Sequence, residues 1–213
     1  MFRFAFLLFS LSFMQRAEAQ NTQGLSIEGD YTRQDSLEVT EAFQIAKEAV
    51  NLMAADMERM WNVTVVSGRS KKKLRKEQWE NNPQFVAWLG GPHKLRKVRR
   101  NIRHMQSRFD HPVSLEVTKE NNGRCTGWIS AWTLPYGKVR IRLCEDFFIY
   151  RTHLQEKILI HEIGHEVGLL FHHRIHGCRA ALRAAGSKRN VAKRSPENYA
   201  WLAMSYLGLR CTY

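Results

Sequence analysis

The sequence predicts a domain in which N-terminal helices precede a small antiparallel sheet and a helix that carries a metal-binding motif. Three observations predict this order. Apolar residues recur at helical spacing in residues 36–61, and short extended segments separated by turn signals begin after Pro112. Residues 161–165 then read H-E-x-x-H inside an apolar stretch.

The two histidines of this motif, His161 and His165, are one helical turn apart. Residues at i and i+4 lie on the same helix face, so both imidazoles can reach one tetrahedral cation, for which zinc is the expected metal. Glu162 is placed to accept a proton from a metal-bound water. Three ionisable groups in an apolar helix are costly to bury unless a metal or partners satisfy them. The motif therefore indicates a metal hydrolase.

Residues 1–19 are expected to be a signal peptide. Arg3 gives a short basic start, residues 4–13 are apolar but too few to span a membrane, and residues 17–19 read Ala-Glu-Ala, a cleavage signal. No later stretch approaches the ~20 apolar residues that a membrane span needs. We therefore expect a secreted protein without a membrane partner. Residues 20–213 are expected to form a single monomeric domain.

The four cysteines fit an oxidising compartment and allow three disulfide pairings. We expect Cys125 to pair with Cys144 and close the region of short strands. Cys178 is expected to pair with Cys211 and tie the chain end back near the metal site. A zinc–cysteine site is the competing interpretation, but the sequence contains no C-x-x-C spacing.

Residues 36–61 predict a core helix, with Ser36 as its candidate N-cap. Its apolar positions recur at helical spacing and are Leu37, Phe43, Ala46, Val50, Met53 and Met57. Asn62 begins an N-glycosylation sequon, Asn-Val-Thr, just past the expected helix end.

Two segments are strongly basic in a chain whose net charge is +13. Residues 69–76 hold six basic side chains, and residues 94–108 hold seven together with a histidine. Such runs are usually solvated helix faces or loops, and the second run keeps a helical apolar stripe that would leave its charges outside. The alternative is attraction for anionic partners, namely acidic protein substrates, anionic glycans or nucleic acid. The stripe consists of Leu95, Val98, Ile102, Met105 and Phe109.

Short extended segments follow at residues 113–117, 126–133 and 138–143, with a turn at residues 134–137 between the last two. They predict a small antiparallel sheet before the metal helix. Residues 128–132 are the candidate edge strand on which an extended peptide would lie.

Several of these segments resemble the deuterolysin family of fungal zinc endopeptidases, the aspzincins. The resemblance rests on residues 85–90 (FVAWLG), 131–135 (AWTLP), 141–148 (IRLCEDFF) and HEIGH, and residues 197–201 (ENYAW) are similar to the family's N-A-x-N-Y-x-x-F. It extends from about Leu37 to the C-terminus. It implies an α+β, zincin-like metallopeptidase fold and a secreted endopeptidase, with His161 and His165 as zinc ligands and Glu162 as the catalytic base.

The chain departs from that family at the third zinc ligand. The family takes this ligand from the aspartate of a G-T-x-D-x-x-Y-G segment, where residues 173–177 of this chain read H-R-I-H-G. His173 stands in the place of the aspartate and is the expected third ligand. His172 is the next candidate, followed by Glu197, the only acidic residue after Glu166. His176 stands where the family has a tyrosine, so it is expected to hydrogen-bond the developing oxyanion, unless it is itself a ligand.

The sequence thus predicts a secreted, disulfide-bonded zinc endopeptidase that acts on protein or peptide substrates. The rival hypothesis is a secreted effector or binding protein that kept the zincin fold, lost turnover and uses its basic surface on a polyanion. The replaced aspartate and tyrosine favour the rival, whereas the intact Glu162 argues against it.

Overall fold

The computed structural model describes residues 25–29, 31–65, 68–111, 113–118, 125, 129–133, 140–149, 153–170, 175–187 and 189–211. The predicted signal peptide at residues 1–19 lies outside these residues. No helix among them combines the length and the apolar character that crossing a membrane requires.

The described residues form four short strands, eight α-helices and one 3₁₀ helix. The strands are β1 Leu25–Gly29, β2 Val113–Thr118, β3 Ala131–Thr133 and β4 Arg140–Cys144. The helices are α1 Arg33–Trp61, α2 Lys71–Glu80, α3 Pro83–Leu89, α4 Leu95–Asp110, α5 Leu154–Glu166, α6 Cys178–Ser187, α7 Arg189–Ala192 and α8 Pro196–Ser205, and the 3₁₀ helix is Glu145–Ile149.

The sheet is mixed rather than antiparallel, with the order β1-β2-β4-β3. β2 is parallel to both β1 and β4, and only β3 runs antiparallel to its neighbour β4. The predicted antiparallel sheet is therefore wrong for most of its strand pairs. Alternation of side chains reports which face of a strand is buried but not which way its partner runs. The long crossover through α1 to α4, which makes a parallel β1–β2 pair possible, starts from a strand that the sequence analysis did not identify.

β3 lies at one edge of this sheet, as the sequence predicted for part of residues 128–132. Residues 126–128 and the predicted turn at 134–137 lie outside the described residues. Thr133 of β3 pairs with Ile141 of β4, and β3 also packs against α5. The edge strand is thus next to the helix that carries H-E-x-x-H.

The long helix α1 starts earlier than predicted. Thr32, not Ser36, is its N-cap, because the Thr32 hydroxyl accepts a hydrogen bond from Asp35 N at 3.1 Å while the Asp35 carboxylate accepts one from Thr32 N at 2.7 Å. Ser36 is buried one turn inside the helix. Leu37 is 52% exposed and does not belong to the core, whereas the other predicted apolar positions of this helix are buried.

Helix α1 packs against α4, α5 and α8. The predicted apolar stripe of α4 is confirmed, since Val98, Ile102, Met105 and Phe109 are buried and Leu95 is partly buried. The basic side chains of this helix are left on its outer surface. The described part of the core is therefore built by helices around α1, with α5 held between α1 and α8.

Both predicted disulfides are confirmed. Cys125 is bonded to Cys144, with their Cα atoms 5.4 Å apart. Cys178 is bonded to Cys211, with their Cα atoms 5.8 Å apart. The first bond holds residue 125 to the end of β4, and the second holds the C-terminal segment to the start of α6.

Candidate metal centre

Helix α5 brings the three residues of the motif together. The ring centroids of His161 and His165 are 4.9 Å apart. One candidate ligand atom each from His161, Glu162 and His165 can be chosen so that all three lie within 4.8 Å of one another. His161 and Glu162 are buried, and His165 is partly buried. This clustering follows from the i, i+4 spacing on a continuous helix.

Each histidine is oriented by a hydrogen bond at its Nδ1 atom. Nδ1 of His161 lies 2.8 Å from Oε2 of Glu197 on α8. Nδ1 of His165 lies 2.8 Å from the carbonyl oxygen of Leu169. Both partners are acceptors, so Nδ1 carries the proton and Nε2 is the nitrogen that would bind a metal. Metal-binding histidines in proteins commonly donate their other N–H to a carboxylate or carbonyl in this way.

The end of α5 creates the acceptor for His165. Gly168 has a φ of 83°, the left-handed conformation that glycine adopts without a steric penalty. Leu169 N then donates to Gly164 O at 3.0 Å and Gly168 N to His165 O at 3.0 Å, which together form a Schellman motif. The chain turns back, and the Leu169 carbonyl reaches the His165 ring. Helix α5 therefore ends at Glu166, directly after the motif.

The second glycine, Gly164, allows α8 to approach α5 closely. A Cβ atom at this position would lie 2.8 Å from Cβ and 3.3 Å from Cα of Pro196, the first residue of α8. A Cβ atom this close to a non-bonded carbon would overlap it, so one of the two helices would have to move. Because Glu197 follows Pro196, the missing side chain at 164 lets the Glu197 carboxylate reach His161.

Glu197 is buried and accepts hydrogen bonds from several donors in addition to His161. Lys157 Nζ lies 3.0 Å from each carboxylate oxygen, and Gly177 N and Trp201 Nε1 each donate to Oε1 at 2.9 Å. Burial alone would raise the pKa of Glu197, but the hydrogen bond from His161 and the charge of Lys157 outweigh it and hold the pKa far below its usual range. Glu197 is therefore an ionised acceptor that fixes His161.

The catalytic candidate Glu162 lies in a drier environment. Burial raises the pKa of Glu162 to about 8, although the Lys157 charge and a hydrogen bond from the Thr133 backbone oppose the shift. One turn further along α5, Glu166 is also buried, and burial raises its pKa. The Thr133 hydroxyl lies 2.6 Å from Glu166 Oε1. Two carboxyl groups of α5 thus contact the edge strand at Thr133.

The remaining predicted site residues fall partly outside the described chain. His172 and His173 lie in residues 171–174, so the third ligand stays a prediction. His176 is described and exposed, and its role also stays a prediction. Its neighbour Gly177 donates to Glu197, which ties this loop to the carboxylate that holds His161.

Two contributors to the site were missed by the sequence analysis, and a third was given another role. Lys157 lies four residues before His161 on the same helix face, a spacing that signals its proximity. No sequence signal indicated Thr133. Glu197 was expected only as a candidate third ligand, whereas here its carboxylate faces Nδ1 of His161.

The donor set fits zinc. Two imidazoles held for coordination through Nε2, beside a buried carboxyl group, are the donors that zinc hydrolases use, and a catalytic zinc takes three protein ligands. His161 and His165 would supply two of them. Acceptors at Nδ1 of both histidines fix the tautomer that leaves Nε2 for a metal and increase the basicity of that nitrogen.

Comparison with known proteins finds a similarity in fold. Among solved structures, the fold is similar to that of a zinc peptidase from Grifola frondosa, with a TM-score of 0.59 at 18% sequence identity. The match covers 81% of this chain and 97% of the peptidase. No family model and no curated protein sequence matches the chain.

Proposed function

We propose that the protein is a secreted, zinc-dependent endopeptidase of the aspzincin type. The observation that carries the proposal is the arrangement on α5, in which His161 and His165 are both held through Nδ1 beside the buried Glu162. The likeness in fold to a zinc peptidase agrees with this activity. The two disulfides agree with secretion, because such bonds persist in oxidising compartments.

Zinc, when bound, supplies Lewis acidity that makes water a better nucleophile and polarises a carbonyl near neutral pH. Glu162 then accepts the proton of the attacking water and passes it to the leaving nitrogen. A cation held by the adjacent histidines would favour the ionised form of this carboxyl, against the burial that raises its pKa. Bound zinc would therefore favour the ionised form of Glu162, which is the form that accepts a proton.

The substrate in this proposal is an extended peptide lying along β3. This strand is at the sheet edge, and its Thr133 contacts Glu166 of the active-site helix at 2.6 Å. A peptide that adds to a sheet edge is held by main-chain hydrogen bonds without a requirement for one sequence. The scissile bond would then lie beside Glu162.

His173 is the third metal ligand in this proposal, and His176 is a hydrogen-bond donor to the developing oxyanion. Both assignments follow from the resemblance to the aspzincins. The contact between Gly177 and Glu197 supports the assignment of His176, because it holds the residue next to His176 near the site.

The rival hypothesis, an inactive zincin-fold effector, is not favoured. A protein that had lost turnover would have no need for a general base, yet Glu162 is retained in a buried position next to both histidines. The hydrogen bond between Nδ1 of His161 and Glu197 is likewise typical of metal-binding histidines.

The test is cleavage of a mixed peptide library, followed by mass spectrometry. Zinc-loaded protein is expected to produce internal cleavages that a chelator abolishes and added zinc restores. The matched control is protein treated with a chelator that has been saturated with zinc beforehand. Absence of cleavage by folded protein with stoichiometric zinc would leave the inactive effector as the better explanation.

A further inference from the structure

A basic groove lies between α2 and α4, and it shares no residue with the candidate metal centre. It consists of two adjoining cavities of about 570 and 490 Å³ that have Trp61 and Arg96 in common. The two walls carry cations at helical spacing. These are Lys72, Arg75 and Lys76 from α2 and Arg96, Arg99, Arg100 and Arg103 from α4.

Partly buried Trp61 lines both parts of the groove. The Arg75 guanidinium carbon lies 3.7 Å from the centroid of the Trp61 ring, and that of Arg99 lies 4.6 Å from it. Arg75 Nε also donates to the Trp61 carbonyl at 2.8 Å. The indole thus positions one arginine from each wall by cation–π contact.

Residues 90–94 connect α3 to α4 at one end of the groove, and two buried side chains hold this loop in place. Trp79 Nε1 donates to Gly90 O at 2.7 Å, and buried Lys193 donates to Gly91 O at 2.7 Å. At the rim, Lys94 is the N-cap of α4 with a φ of 56°, a left-handed conformation that is strained for a residue with a side chain. The groove is therefore built by the fold and does not depend on a ligand to form.

Most of the positive charge in the groove is not neutralised. Glu58 pairs with Arg99 and Arg103 at 2.7 and 3.0 Å, and chiefly its hydrogen bond with Arg99 lowers its pKa. The other exposed cations have no carboxylate within ion-pair distance in the part of the chain that the structure describes; they are Lys72, Lys76, Lys94, Arg96 and Arg100. Converging like charges repel each other unless an anion lies between them.

We propose that this groove binds a linear sulfated glycan, independently of the peptidase activity. Arginine side chains on both walls suit sulfate and carboxylate groups, which they can bind through two parallel hydrogen bonds. The apolar strip of Trp61, Pro92 and Leu95 offers contact to the carbon face of a sugar ring. The first cavity has charge on both sides, and the second continues the line of charges along α4. This arrangement fits a narrow chain with anionic groups along its length.

Nucleic acid and membranes fit the groove less well. Single-stranded nucleic acid is bound by several aromatic side chains on which successive bases stack. Of the described residues that line the groove, Trp61 alone has a large aromatic ring, and two guanidinium groups already contact it. A membrane is bound by apolar side chains that enter it or by basic side chains that meet its surface, whereas the charges of this site line a concave groove. The two disulfides also fit an oxidising compartment better than the cytosol or the nucleus, where nucleic acid is concentrated.

The experiment measures binding of a heparin-type oligosaccharide to the full protein by calorimetry at several salt concentrations. The test variant is Lys76→Glu/Arg96→Glu, which reverses one charge on each wall. The control variant is Lys71→Glu/Lys97→Glu, which makes the same charge change at exposed positions of the same helices outside the groove. Circular dichroism and peptide cleavage are recorded for both variants.

The groove variant is expected to bind the oligosaccharide at least tenfold more weakly. The slope of log affinity against log salt concentration should also fall, by the release of roughly two fewer counterions. The control should change affinity less than threefold, and cleavage should be the same in both. Equal weakening by the two variants would show diffuse surface attraction and overturn the proposal. Tighter binding to single-stranded DNA of equal charge, to fully desulfated oligosaccharide or to anionic vesicles would also overturn it.

Discussion

Glu162 is the residue whose side chain performs proton transfer in the proposed reaction. Glu162→Gln keeps the size and hydrogen bonding of the side chain, but an amide cannot accept the proton of water. We expect zinc content and melting temperature to stay near those of the wild type while peptide cleavage falls roughly 10²–10⁴-fold. Cleavage assays and metal analysis on the same preparation test this. Wild-type cleavage in the variant would exclude Glu162 as the base.

Glu197 acts one step further from the metal, through the Nδ1 atom of His161. Glu197→Ala removes that acceptor and leaves Lys157 without its carboxylate partner. We expect zinc affinity to fall roughly 10- to 100-fold, as for other residues that orient a metal ligand. Competition with a chromogenic chelator measures the affinity.

Two further variants distinguish the proposed orienting role of Glu197 from a purely structural role. Glu197→Gln keeps an oxygen that can accept from His161 and should recover part of the lost zinc affinity. Lys157→Met removes the charge but leaves the bond between Glu197 and His161, so its zinc affinity should change less. If Glu197→Ala binds zinc as tightly as the wild type, Glu197 does not orient His161.

The residue-level chemistry of the site was predictable only where neighbours in sequence are also neighbours in space. His161, Glu162 and His165 lie on one helix, so their spacing alone brought them together. Glu197 is 36 residues from His161, and its place depends on how α8 packs on α5. Thr133 reaches the site from a different strand for the same reason.

At the scale of elements, the close approach of α8 to α5 depends on Gly164. Gly164→Ala would gain roughly 1 kcal/mol of helix propensity, but the new Cβ meets Pro196 at 2.8 Å. Forcing an extra carbon into a packed contact costs about 1–3 kcal/mol. We expect a lower melting temperature and weaker zinc binding, because α8 must move and carry Glu197 away from His161.

Gly186→Ala is the matched control for this substitution. Gly186 also has a helical neighbourhood, in the last turn of α6, and an added Cβ there would meet no atom within 4 Å. We expect this variant to gain about 0.5–1 kcal/mol of stability and to bind zinc unchanged. Thermal unfolding measures the stability of both variants, and zinc titration measures their zinc affinity. If Gly164→Ala is as stable and binds zinc as tightly as Gly186→Ala, the two helices do not need this close contact.

Helices were predicted better than strands in this chain because their signals are local. The apolar stripe of α4 repeats over several turns of one segment, and the structure places it inward. Strand direction depends instead on which distant segments pair. β1 is a five-residue strand in a polar region, and its parallel pairing with β2 requires four intervening helices. The N-cap of α1 was misplaced because Thr32 and Ser36, one turn apart, are both capable cap residues.

At the scale of the whole molecule, the two disulfides contribute stability by restricting the unfolded chain. The bond between Cys178 and Cys211 spans 33 residues and that between Cys125 and Cys144 spans 19. Loop-closure entropy for such lengths corresponds to about 3.7 and 3.2 kcal/mol. Replacing Cys178 and Cys211 by alanine should therefore lower the melting temperature by roughly 7–15 °C.

The pair Cys125→Ala/Cys144→Ala is the comparison, and its melting temperature should fall slightly less. Differential scanning calorimetry measures both. An unchanged melting temperature after removal of either bond would mean that the unfolded chain is already restricted in some other way.

Zinc binding should stabilise the whole domain, and this linkage can assign the third ligand. A ligand that binds only the folded state at 100 times its Kd adds about 2.7 kcal/mol, which corresponds to a rise of roughly 5–10 °C in melting temperature. We expect His161→Ala and His173→Ala to abolish this rise, because each removes a ligand. His172→Ala and His176→Ala should retain it, and Glu197→Ala should retain a smaller part. Scans with and without zinc, at matched pH and protein concentration, give the five values. If His173→Ala keeps the full rise while His172→Ala or His176→Ala loses it, the third ligand is the residue replaced in that variant.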